Sequence, residues 1–223
     1  MDAHMADFAL ARLNMVESQI RTNKVTSVPL IETFKEMPRE RFAPATGQAF
    51  AYVDEDLPIG GGRFLLEPMV LARLLQAADL RATDNALEIG CATGYGAAIL
   101  SRQVAAVVGI DAAADLVATG NQVLADLHID NAALITGDME AGYPRQAPFD
   151  VILINGAVEH VPADLLAQIG PGGRLVTVVR KADQPFGVAT LFERTPNGVD
   201  QRVLFDASVP LLPGFRDGAE FVF

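Results

Sequence analysis

A glycine-rich turn and two spaced aspartates carry most of the chemistry this sequence can do. The turn reads Glu88-Ile-Gly-Cys-Ala-Thr-Gly-Tyr-Gly96. Gly90, Gly94 and Gly96 permit positive φ and close backbone approach, and a helix starting behind them would aim its free N–H groups at a ligand in the turn. Ile110-Asp111 closes the next apolar run, and Gly137-Asp138 follows the one after. An acid at the second position can accept hydrogen bonds from both ribose hydroxyls, and one at the third from an adenine amine. Singly these are ordinary turn residues; in this order they describe a nucleoside site. The dinucleotide fingerprint wants G-x-G-x-x-G, and Ala92 stands at its second glycine, which disfavours a nicotinamide cofactor and makes an oxidoreductase the weakest alternative.

Other reactive side chains are fewer. Glu159 and His160, in Asn155-Gly-Ala-Val-Glu-His160, follow a strand and could form an acid–base pair, although a histidine before Val161-Pro162 is more often a surface residue at the start of a helix. The stretch does not have the Asn/Asp-Pro-Pro-aromatic form used to methylate the amino groups of bases. Cys91 lies in the turn near a helix N-terminus, which could lower a thiol pKa; with no partner thiol it reads as a small loop residue. His4 and His128 show no ligand pattern, and no Cys/His cluster has zinc spacing, so no metal is expected.

The elements that must hold these residues follow from periodicity. From Asn85 the chain alternates strand 86–89, helix 95–103, strand 105–110, helix 113–127 and strand 133–135; strands 149–154 and 174–179 follow, with a helix after Pro162 between them. Strand–helix alternation with continuous apolar strands predicts a parallel sheet covered on both faces. Strands 188–194 and 201–205 flank Thr195-Pro-Asn-Gly198, a hairpin signal, so the sheet should end antiparallel. Upstream, Phe8 to Ile20 and Pro29 to Met37 have helical spacing. Leu57-Pro-Ile-Gly-Gly-Gly62 reads as a loop, and Pro68 suits the first turn of a helix running to about Leu80. The expected organisation is one domain over 1–223, with a helical extension and acceptor loop over 1–80 and a cofactor-binding α/β core over 84–223.

Composition narrows the partners. Half of the 223 residues are hydrophobic and 20% charged, enough to bury a sizeable core. Lys plus Arg is 17 against 28 Asp plus Glu, a net charge of −11, which disfavours a broad nucleic-acid or anionic-membrane footprint. A single cysteine, no membrane-length apolar run and no signal-like core in Met1–Asp7 fit a reducing, cytoplasmic compartment. Oligomeric state is not legible.

The glycine turn followed by strand-end acids resembles S-adenosylmethionine-dependent methyltransferases. The resemblance narrows with Met15-Val-Glu-Ser-Gln-Ile-Arg21, Met37-Pro-Arg-Glu-Arg-Phe-Ala-Pro44, Ala51-Tyr-Val-Asp54, Leu57-Pro-Ile-Gly60, Glu88-Ile-Gly90, Gly94-Tyr95, Gly137-Asp138 and Ala147-Pro-Phe-Asp150. Together, over most of 15–180, these look like protein-L-isoaspartate O-methyltransferases. The resemblance implies a Rossmann-like α/β fold and a repair enzyme that methylates the abnormal α-carboxylate of isoaspartyl residues, with S-adenosylmethionine as donor and S-adenosylhomocysteine as product. The cofactor residues it implies are Glu88, Gly90, Cys91, Gly94, Asp111, Asp138 and Met139.

One segment departs from the family. Where that family has Gln-Thr-Ile-Ser-Gln-Pro, this chain has Arg63-Phe-Leu-Leu-Glu-Pro68. Phe64 replaces the threonine and Leu66 the serine, so the hydroxyls are lost. Gly61, Gly62, Arg63, Phe64 and Leu66 are the acceptor-site, catalytic-loop candidates by family position. The apolar triplet 64–66 either packs under the preceding glycine loop, 60–62, and closes it, lines a pocket for a less polar acceptor, or shuts the isoaspartyl site and leaves a non-catalytic cofactor-binding protein. Thr93 and Ser101 are the hydroxyls that could substitute from elsewhere.

Overall fold

A computed structural model describes residues 3–182 and 184–215, with side chains from Phe8 onward. The expectations for Met1–Asp7, including that His4 shows no ligand pattern, lie outside the described side chains. The centre is a seven-stranded sheet of β3 (Asn85–Ile89), β4 (Ala106–Asp111), β5 (Ala132–Thr136), β6 (Phe149–Val158), β7 (Ile169–Val179), β8 (Gly187–Thr195) and β9 (Gly198–Ala207). Its order is β5-β4-β3-β6-β7-β8-β9, parallel from β5 to β7 and antiparallel thereafter. Strand order reverses between β3 and β6, so the crevice beyond their carboxyl ends is where such a sheet takes a ligand.

Continuous apolar strands exist because both faces are buried. Ala86, Val107, Val151, Leu153, Val176 and Val178 join one core with α2 (Val28–Glu36), α3 (Pro68–Ala77), α4 (Tyr95–Ser101) and α5 (Ala114–Asp126). Leu87, Ile89, Val108, Ile110, Ile152, Ile154 and Leu175 join a second core with Leu165 of α6 (Ala163–Ala167). Successive residues of one strand thus serve opposite cores, as a period of two requires. The α/β fold and the antiparallel end are those the sequence predicts.

The N-terminal segment is a helix, α1 (Ala3–Met15), that continues through one π-helical turn (Val16–Ile20) and one 3₁₀ turn (Arg21–Asn23). Its tail and α2 bury Met15, Val16, Ile20, Leu30 and Phe34 in the first core. One expectation needs correction. Of the expected loop over 57–62 only Gly61 and Gly62 lie outside a strand; Leu57–Gly60 is β1, paired antiparallel with β2 (Arg63–Leu65) in a hairpin. Three successive glycines at positive φ, Gly60, Gly61 and Gly62, make the turn, a conformation in which other residues are strained. The helix after Pro68 ends at Ala77 instead of about Leu80.

Candidate functional site

The turn after β3 is shaped by alternating left-handed residues. Gly90, Ala92 and Gly94 have φ of +75°, +49° and +86°. Such alternation turns successive N–H groups inward, and the N–H groups of Gly90 and Cys91 both donate to the Ile110 carbonyl (2.8 and 3.2 Å), closing the turn on β4. Ala92, at the fingerprint's missing glycine, adopts a conformation that costs an L-residue ~1–2 kcal/mol. It is held there by its N–H donating to Asp111 Oδ2 at 2.8 Å.

The N-terminal segment fixes the other side of the turn. Thr93 donates its hydroxyl to the Phe42 carbonyl (2.7 Å), while the fully buried Arg39 lies over the Tyr95 ring at 4.9 Å and donates to the carbonyls of Ala51 (2.6 Å) and Leu66 (2.8 Å). One guanidinium thereby ties the glycine turn, through Tyr95 at the start of α4, to the β1–β2 hairpin. Ser101 donates to Ala98 O. Both hydroxyls named as substitutes, Thr93 and Ser101, are buried and committed to carbonyls, and neither borders the cavity beside Phe64.

Glu88 sits fully buried at the carboxyl end of β3, under α4. A side chain at Gly96 would collide with its Oε1. Asn155 donates to Oε1 at 2.6 Å, but Glu88 Oε2 and Asn155 Oδ1 are buried acceptors without a donor. Burial pushes the Glu88 carboxyl up to about 8, with the charge of Asp111 adding to it and the Asn155 bond opposing it. Cys91 does not have the lowered thiol that a helix terminus could give: burial, reinforced by Glu88 and Asp111, raises it.

Asp111 is also buried, and its carboxylate is fully engaged. Oδ2 accepts from Ala92 N–H and from Arg63 Nε at 3.0 Å, with Arg63 Nη2 also 3.0 Å away, and Oδ1 accepts from Ala113 N–H at 3.0 Å. Arg63 Nη2 donates as well to the Gly90 carbonyl at 2.7 Å. Arg63, expected on the acceptor side, thus reaches into the nucleoside crevice. Asp138 is exposed and accepts from Glu140 N–H at 3.0 Å. Met139 turns into the second core, the one that holds Phe149 and Leu165.

The chain beyond β9 returns to this place. Ala157 N–H donates to Pro210 O and Leu212 N–H donates to Ala157 O, so a strap over 209–215 runs parallel alongside the carboxyl end of β6. Leu212, 3% exposed, packs on Gly90 and Gly156. Phe64 and Leu66 line a cavity with Gly62, Arg63, Asn155, Gly156 and 210–212; its volume is about 10 Å³. Leu65 and Leu66 are buried in the first core and Phe64 is half-buried, so the triplet mainly packs. Glu159 N–H donates to Phe215 O, and His160 is exposed just beyond β6.

By residue type the crevice suits S-adenosylmethionine in one respect: the orphaned acceptors of Glu88 and Asn155 are what its ammonium group would satisfy, whereas both oxygens of Asp111 are already taken by Ala92, Ala113 and Arg63. A Cβ built on Gly90 would stand 2.5 Å from Arg63 Nη2 and 2.9 Å from Leu212, so the glycine face is already covered. The small cavity beside Phe64 lies on the acceptor side, and none of Glu88, Gly90, Gly94, Asp111 or Asp138 borders it.

Sequence reasoning missed Asn155 as a partner of Glu88, and it missed Leu212, which carries no motif. It also missed Glu67, whose carboxyl is pushed up to about 7 by burial and then by Asp54 and Asp56 beside the hairpin; the acid-rich Asp54-Glu-Asp56 run was the available signal. Among the described residues no three His, Cys, Asp or Glu side chains gather as a metal site, and no helix is long and apolar enough to cross a membrane.

Comparison with known proteins agrees with this architecture. Residues 11–205 match the family model "Protein-L-isoaspartate(D-aspartate) O-methyltransferase (PCMT)". A protein-L-isoaspartate O-methyltransferase of Methylorubrum extorquens is 37% identical over 212 residues, 93% of this chain and 91% of that one. A protein-L-isoaspartate O-methyltransferase 2 of Shewanella sediminis is 35% identical over 203 residues, covering 91% and 82%. Among solved structures, a putative enzyme of the same name from Plasmodium falciparum, in complex with S-adenosyl-L-homocysteine, superposes with a TM-score of 0.74 at 18% identity over 90% of this chain and 97% of that one. With the match extending from the end of α1 through β9, this chain belongs to the protein-L-isoaspartate(D-aspartate) O-methyltransferase family.

Proposed function

We propose that this protein transfers a methyl group to the carboxylate of isoaspartyl residues in damaged proteins. The observation that carries the reading is the family match across 195 consecutive positions, 11–205, which takes in both the hairpin and the crevice. S-adenosylmethionine, the methyl donor of this family, supplies a sulfonium methyl. A carboxylate with an unperturbed pKa of ~4 is already a nucleophile at neutral pH. The reaction therefore needs no general base, and neither Glu159 nor His160 is required for one. The protein's work is to align the acceptor oxygen ~3–3.5 Å from the methyl and to keep water away.

We assign the cofactor side to Glu88, Gly90, Gly94, Asp111 and Asp138, and the acceptor side to the hairpin residues Gly61, Gly62, Phe64 and Leu66 with the amide of Asn155 beside them. Damaged protein or peptide is the partner; the net charge of −11 argues against nucleic acid, and a reducing cytoplasmic setting fits the single cysteine. Phe64 and Leu66 offer no hydroxyl donor, which favours as second reading a methyl transfer to a less polar acceptor. The test is labelled-methyl transfer from S-adenosylmethionine to matched isoaspartyl and aspartyl peptides, scored as base-labile methanol. Transfer to the isoaspartyl peptide alone is expected. No transfer to either at saturating donor, with label entering a small acceptor from cell extract, overturns the first reading in favour of the second.

A further inference from the structure

The crevice beyond the carboxyl ends of β3 and its neighbours β4 and β6 is roofed from two sides. From one, the hairpin turn leans over the start of α5, where a Cβ on Gly61 would lie 3.9 Å from Ala113 and from Leu116, and a Cβ on Gly62 would touch Pro213 at 3.6 Å. Arg63 descends from this turn to Asp111 and Gly90. From the other side, the 209–215 strap is pinned by two hydrogen bonds to Ala157 and drops Leu212 onto Gly90 and Gly156. The two covering side chains meet the same glycine.

We propose that Arg63 and Leu212 form an internal plug of the nucleoside crevice, so that an S-adenosyl ligand enters only by drawing Arg63 off Asp111 and lifting Leu212 from Gly90. The proposal rests on the crevice being the cofactor site, as assigned above. Asp111 already accepts from two main-chain N–H groups and the Arg63 guanidinium. A ribose diol needs the lone pairs that Arg63 occupies. The ion pair is 3% and 0% exposed, so neither charge has water to fall back on when the pair opens. Any population of the closed form lowers the apparent affinity by the fraction of chains that are open.

The test is calorimetric binding of S-adenosylhomocysteine to the full-length protein and to Arg63→Gln and Leu212→Ala, each checked for folding by circular dichroism. Both substitutions are expected to tighten binding at least about tenfold relative to the parent, and the double variant more than either alone. Leu212→Ala keeps the Arg63–Asp111 pair, so it decides the matter if Arg63→Gln fails to fold. Weaker binding by Arg63→Gln would overturn the proposal, making Arg63 a ligand of the cofactor. Tight binding by the parent, unchanged in the variants, would overturn the plug while upholding the cofactor site. Absence of binding in all of them would overturn both.

Discussion

Replacing Glu88 by glutamine should remove a defined part of the pH dependence of stability. The carboxyl is fully buried, and its pKa rises from 4.5 to about 8, with burial the main cause. Unfolded, it titrates near ~4.3. Between those values the folded chain keeps a proton that the unfolded chain has lost. The stability contributed by the neutral acid is therefore fully present below the unfolded value and is lost as pH rises towards 8, by about 1.4 kcal/mol per pH unit. Over the whole interval this amounts to about 5 kcal/mol, and from pH 5 to pH 7 to about 3 kcal/mol. Glutamine does not titrate. Urea unfolding of parent and Glu88→Gln at pH 5, 6, 7 and 8 isolates the effect, because the difference between the two cancels every other group, including Glu67, which is raised in the same sense. The variant should gain on the parent by roughly 1 kcal/mol per unit. A difference flat to within about 0.5 kcal/mol over that range refutes the burial argument, since a carboxyl held neutral by the fold must show this slope.

Two further perturbations probe the turn itself. Gly120→Ala would place a Cβ 2.8 Å from the Thr93 carbonyl oxygen and into Leu134, forcing α5 off the glycine turn. A loss of about 1–3 kcal/mol in urea unfolding is expected, and a loss below about 0.5 kcal/mol would show the contact to be soft. Cys91, 1% exposed with a raised thiol, should stay unmodified by a thiol reagent at pH 8 in the folded protein and react fully in urea; reaction within minutes under native conditions would contradict its placement.

The part of the site that lies along one short stretch was legible in the sequence. Asn85–Asp111 could be read because the apolar strands, the glycines between them and the strand-end acid are local signals, and the order of β3, α4 and β4 follows from them. The hairpin was read as a loop because three glycines signal a turn without indicating that the flanking four- and three-residue segments pair. What Arg63 does was illegible for a different reason. Its partner lies 48 residues away, and only the fold decides whether a long side chain beside a glycine turn points to the acceptor or into the crevice. Leu212 follows the last strand in a segment with no periodicity, so nothing local distinguished it from an ordinary surface tail. Cys91 shows the competition between two rules, in which burial outweighs the nearby helix terminus.

The sheet order also has a consequence for how the chain comes off the ribosome. The β7–β8–β9 end is a meander whose partners are neighbours in sequence, whereas β3 pairs with β4 on one side and must wait for β6 on the other. Ala86 meets Val151, roughly 65 residues later. At ~5–20 residues per second, synthesis leaves that hydrophobic strand edge open for about 3–13 s. The glycine turn is thus made early and completed late, and in that interval the open apolar edge of Asn85–Ile89 is a surface for a chaperone to cover.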